Sequence, residues 1–133
     1  MKPENFFLAS GMAEKMELIV TEEQTARYLG SGKSDILATP VLVALVEAVA
    51  QKIVDRGLAG NWQSVGTYIG LKHNSMTPVG RKIRIHVILT DIDEKELTFE
   101  IKAFDDSGMI AEGSHKRIIS RTEVLKRLLG RKK

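Results

Sequence analysis

Between Ala38 and Ile53 the chain reads ATPVLVALVEAVAQKI, and its apolar residues recur at helical spacing. Leu42, Leu45, Val49 and Ile53 share one face, while Val41, Ala44, Ala48 and Ala50 leave much of the remaining circumference apolar. A helix apolar on several sides is packed on several sides. Glu47 interrupts it, and a carboxylate in such a place needs a partner or water. Thr39 is a natural N-cap, and Pro40 suits the first helical position, where its missing N–H costs nothing.

Elsewhere the dominant period is two. Met12 to Thr21 alternates as a strand after a loose start, and Thr21, Glu22, Glu23, Gln24 forms a capping box opening a short helix to about Leu29. Gly30 to Asp35 is a flexible loop, and Gly57 and Gly60 end the long helical pattern. Ser64 to Lys72 is a second strand, in which Gly66 and Gly70 predict a bulge or a close approach to the backbone. After the Thr77-Pro78-Val79-Gly80 turn, Ile83, Ile85, Val87 and Leu89 point one way and Arg84, His86, Ile88 and Thr90 the other. Turns at Ile92 to Glu96 and at Asp105 to Gly108 separate this strand from Leu97–Phe104 and Met109–Ile119. Glu123 to Leu129 is an amphipathic helix with Val124, Leu125, Leu128 and Leu129 on one side. The packing solution is an α+β fold, a curved antiparallel sheet of about five strands wrapped around one long central helix. Its free edges need cover, and a second copy is one common answer.

The 133 residues make one domain, 1–133, and 43% hydrophobic with 28% charged residues is a globular composition. No apolar run reaches the roughly 20 residues of a membrane span, and Phe6, Phe7, Leu8 is too brief for a signal-peptide core. The absence of cysteine excludes disulfides, thiol catalysis and cysteine zinc sites, and fits a cytoplasmic protein. A net charge of +3, with basic residues interleaved among acidic ones and only 5% aromatics, points away from nucleic acid. A mildly basic rim suits a phosphorylated small molecule instead. Three scattered histidines without ligand spacing give no metal site.

Three polar residues stand where a core would not need them: Thr39, Glu47 and His73, with Gly66 as a backbone participant. Each alone has a plain structural role, as cap, ion pair or surface histidine. Together, ATPVLVALVEAVA, SVGTYIGLKH, TPVG and GMIAEGSHKR resemble the fluoroacetyl-CoA thioesterase family of the hotdog-fold superfamily, over about Gly30 to Ile119. In that pattern Thr-Pro opens the central helix, Glu follows eight residues after the Thr, Val-Gly starts the next strand, and His precedes a Pro-x-Gly turn. The resemblance implies a hotdog fold, a homodimer, and hydrolysis of an acyl-CoA thioester with Thr39, Glu47 and His73 catalytic. Coenzyme A would be part of the substrate, and no separate cofactor is called for. The specialised enzyme carries aromatics before the helix, whereas Gly30 to Leu37 holds none, which points to a different acyl group.

In the expected chemistry, Thr39 attacks or positions the thioester, His73 is the general base and Glu47 orients it. Backbone N–H groups of Val41, Leu42 or Gly66 face the oxyanion. Lys72 and Arg117, with Arg81, Lys82 and Lys116, are candidate partners for the coenzyme A phosphates, and His86 and His115 are structural. Eight helical residues separate Thr39 and Glu47 by about 12 Å, so a dimer interface is expected to complete the site. The rival readings are an acyl-CoA binder without catalysis, a hydratase of the same fold, and a more distant structural or nucleic-acid-binding dimer.

Overall fold

The computed structural model describes residues 6–132, in which five strands and three helices follow one another. Strand β1 (Ala13–Ile19) leads through a single 3-10 turn at Glu22–Gln24 to α1 (Ala26–Leu29) and the long α2 (Thr39–Gly57). Then come β2 (Trp62–His73), β3 (Lys82–Asp93), β4 (Glu96–Asp105), β5 (Gly108–Arg121) and α3 (Thr122–Gly130). The capping box at Thr21 is present, but it closes only the 3-10 turn, and Thr25 caps α1 separately through Tyr28 N–H. The segment before β1, expected to be loose, is pinned from Phe7 onward. Phe7 N–H donates to the Gly57 carbonyl, Leu8 is buried, and Gly11 N–H donates to Leu89. The rest of that expectation, residues 1–5, lies outside the described residues.

All pairings are antiparallel, in the order β1-β3-β4-β5-β2, so β1 and β2 are the two edges. Period two delivers the core: Ile83, Ile85, Val87 and Leu89 of β3 and Leu97, Phe99, Ile101 and Ala103 of β4 are buried on the face toward α2. From α2 they meet Leu42, Val46, Val49, Ala50, Ile53 and Val54. Leu45 is only half-buried, and Ala44 and Ala48 are not fully covered, so one apolar side of α2 remains open. The helix is one turn longer than its apolar pattern, ending at Gly57, where a Cβ would collide with Leu8. Side chains Leu128 and Leu129 of α3 are exposed. Among the described residues no helix is long and apolar enough to cross a membrane.

The pairing of β2 with β5 departs from regular geometry at two places. Register shifts between Gly66 and Tyr68, which inserts a bulge opposite Arg117 and Lys116. Further along, a Cβ on Gly113 would run into the Gly70 carbonyl, so the strands approach closely there because Gly113 has no side chain.

Candidate active site

Thr39 begins α2 but does not cap it. Ala38 is the N-cap, its carbonyl accepting the Val41 and Leu42 amides, each at 3.1 Å, and Pro40 falls one position later than expected. The Thr39 hydroxyl is released from the helix end for a tertiary partner: Oγ1 lies 2.8 Å from His73 Nδ1. His73 ends β2, and the next residues tie that end down. Asn74 and Ser75 amides donate to the Ile110 carbonyl, Leu37 N–H donates to Thr77, and the buried Thr77 hydroxyl donates to Asp105 at 2.8 Å. Both partners of the Thr39–His73 contact are thus fixed by backbone pairing on each side.

The other ring nitrogen, Nε2, is buried without a hydrogen-bond partner. Burial lowers the His73 pKa below its ordinary 6.5, against a weaker opposite pull from the Ser75 backbone. The ring is therefore neutral at pH 7, free to take a proton. It lines a cleft of about 450 Å³ with Thr39, Pro40, Ser31, Lys33, Ser34 and Met76. The Thr39 amide, first of α2, has no acceptor among the described residues and stands at the positive end of the helix dipole. The Val41 and Leu42 amides, expected to face an oxyanion, are both engaged by Ala38, because the N-cap is Ala38 and not Thr39.

Glu47 lies elsewhere. It makes no hydrogen bond or ion pair with Thr39 or His73 in the protomer, so it does not orient the imidazole there. Its carboxylate sits on the Gly66 backbone, where a Cβ would strike Oε2, and 3.7 Å from Arg117 Nη1. Arg117, expected at a solvated rim, is 6% exposed. Its Nε donates to Ser64 Oγ at 2.8 Å and Nη2 to Gln51 Oε1 at 2.7 Å, so its charge is committed inside the protein. Lys72 is exposed on β2 but does not line the cleft, and Lys116 pairs with Glu96 at 3.5 Å. The cation that does line the cleft is Lys33, a residue that its place in a flexible loop gave no reason to single out. No cluster of three metal-ligating side chains is found among the described residues.

Residues 20–123 match the sequence model of the fluoroacetyl-CoA-specific thioesterases, well over half of the chain. The chain belongs to this family. It is 24% identical to the fluoroacetyl-CoA thioesterase of Streptantibioticus cattleyicolor over 113 residues, 80% of this chain and 81% of that one. A solved structure of a fluoroacetyl-CoA thioesterase superposes with a TM-score of 0.86 at 22% identity, covering 96% of this chain and 98% of the other. A thioesterase superfamily member from Thermus thermophilus gives 0.87 at 22%, covering 98% and 94%. These superpositions fix the fold as hotdog, and the family membership agrees with what the Thr-Pro, Glu, Val-Gly and His pattern implied.

Proposed function

We propose that the chain hydrolyses acyl-CoA thioesters to the free acid and coenzyme A, at a site completed by a second copy of the chain. The reading is carried by the 2.8 Å contact of Thr39 Oγ1 with a neutral, half-buried His73 at a cleft, in a member of a thioesterase family. His73 takes the proton of the attacking oxygen, either the Thr39 hydroxyl or a water beside it, as the new C–O bond forms. The charge that develops on the thioester oxygen is met by the Thr39 amide and the start of α2. The imidazolium then returns the proton to the departing thiolate as the C–S bond breaks. Where Thr39 was the attacking oxygen, a water next adds to the Thr39 ester, passing its proton through His73 to the Thr39 oxygen as that C–O bond breaks, and the free acid leaves. Nothing in these steps calls for a cofactor. Lys33 supplies a cation for the phosphates of coenzyme A or for a charged acyl end.

The second copy is argued from what one protomer leaves open. Strand β2 is a free edge with Val65 and Tyr68 exposed, and Glu47 rests on Gly66 beside the open Ala44 and Ala48 side of α2. An edge strand and an apolar helix side that adjoin are a surface for self-association. The Glu47 side chain is 44% exposed there, able to serve a neighbour's reaction although it does not pair with its own His73. A thiol reagent tests the hydrolysis, because a chain with no cysteine reports only released coenzyme A. The purified protein is given short, branched, aromatic and long acyl-CoA esters beside His73→Ala. Turnover of at least one class, lost in the variant, supports the reading; acyl-CoA binding without thiol release assigns the non-catalytic one instead.

A further inference from the structure

Arg117 makes a demand on its neighbour that fixes a protonation state. Its Nη1 lies 3.2 Å from His115 Nε2 and, on the other side, 3.7 Å from Glu47 Oε2. A guanidinium has donors only and does not lose its proton in a protein, so His115 Nε2 must be the acceptor. The ring proton is then on Nδ1, which donates to the Tyr68 carbonyl at 2.8 Å. Tyr68 closes the bulge that begins at Gly66, so one ring ties together the bulge and the guanidinium. The ring is 1% exposed and stacks on Phe99 with centroids 5.8 Å apart.

We propose that His115 is a positioning residue for the hydrolysis: its neutral ring, with the proton on Nδ1, holds Arg117 and thereby sets the Glu47 carboxylate over Gly66. This role rests on the hydrolytic reading of the site. Two charged groups face the ring, Arg117 from β5 and Glu47 from α2, with Asp55 acting further along α2 on Arg117. Burial disfavours a charged ring most, and Arg117 adds to it; the Tyr68 carbonyl and Glu47 pull the other way without reversing the direction. A second proton would set an N–H of the ring against an N–H of Arg117, and the guanidinium would have to leave. The remaining bonds of Arg117 to Ser64 and Gln51 anchor its far side, so His115 controls only the nitrogen that faces Glu47.

The test has two parts. Nitrogen-15 spectra of the imidazoles at pH 7 should show His115 with a protonated Nδ1 and a bare Nε2; the opposite tautomer or a charged ring overturns the inference whatever the activity. His115→Phe keeps the stack on Phe99 and removes both hydrogen bonds, and kcat should fall about 10- to 100-fold while KM stays within about 3-fold. His115→Gln places an amide oxygen near the position of Nε2, and it should recover about 10-fold of that loss by accepting from Arg117. Thermal melts accompany both variants, and if the Phe form does not fold, the Gln form and the spectra decide. A wild type inactive on every ester removes the hydrolytic reading and this role with it. An active wild type with an unchanged His115→Phe variant, or equal losses in both variants, overturns the role of His115 alone.

Discussion

Adding a single methyl group at Gly66 separates the placement of Glu47 from the stability of the fold. An added Cβ would collide with Glu47 Oε2 and would also meet His115 Cε1 at 3.3 Å and Arg117 Nη1 at 3.4 Å. The first obstacle is the end of a flexible side chain, so the carboxylate gives way by about 1 Å rather than the backbone. That displacement carries Glu47 away from Arg117, from 3.7 Å to beyond ion-pair range. The lost pair is partly exposed and screened by solvent, so it costs less than about 1 kcal/mol. Alanine in place of glycine in a strand returns about 0.5–1 kcal/mol. The net change in stability is therefore within about 1 kcal/mol, a shift in Tm of no more than about 5 °C. Misplacing a catalytic group by about 1 Å is worth about 100-fold in rate, or about 2.7 kcal/mol of barrier. Steady-state thiol release and a melting curve on Gly66→Ala should show a large fall in kcat with a nearly unchanged Tm. A variant that melts like the wild type and turns over at the same rate would refute the placement of Glu47 as a requirement.

Other substitutions and pH probe the same geometry. Thr39→Ser keeps the hydroxyl beside His73 and should stay within about 10-fold of the wild-type kcat, whereas Thr39→Ala should lose about 100-fold or more. Both His73 and His115 are held below their ordinary pKa of 6.5 by burial, so kcat/KM should fall on the acid side with a midpoint under 6.5. For the same two groups the unfolded chain binds protons first, so the Tm should hold above pH 6.5 and drop as pH falls below it; a Tm that rises there would contradict the burial. Lys33→Ala should raise KM about 3- to 10-fold with little change in kcat, and an unaltered KM would remove Lys33 from the substrate path.

Much of the fold was legible in the residues. The strand parity of β3 and β4 and the apolar face of α2 are local patterns, and they pack as written because burial rewards the same period that the backbone imposes. Gly66 and Gly70 signalled a bulge or a close approach, and β2 has the bulge at Gly66. What local pattern missed was the choice of partners. Thr39 has the chemistry of a cap, but its hydroxyl is taken by His73, 34 residues away, which no local preference registers. Arg117 looked like a rim cation because it was read with Lys116 and the other basic strand residues as part of a charged, solvated face. Its parity with Ile119 and His115 placed it on the inner face, a signal present in the sequence and outweighed by the assumption that charge is solvated. Lys33 had no periodicity to mark it, since only the folding of its loop against Thr39 and His73 brings it to the cleft.

The claim most exposed to disproof is that Thr39 and His73 of one protomer work with Glu47 of another. Chains carrying Thr39→Ala and chains carrying Glu47→Gln, each impaired alone, are mixed, allowed to exchange subunits, and assayed for thiol release after heterodimers are verified. One site in each heterodimer then has all its residues intact, so random exchange should restore about a quarter of the wild-type rate per chain. Verified heterodimers with no more activity than their parents would contradict a site shared between subunits.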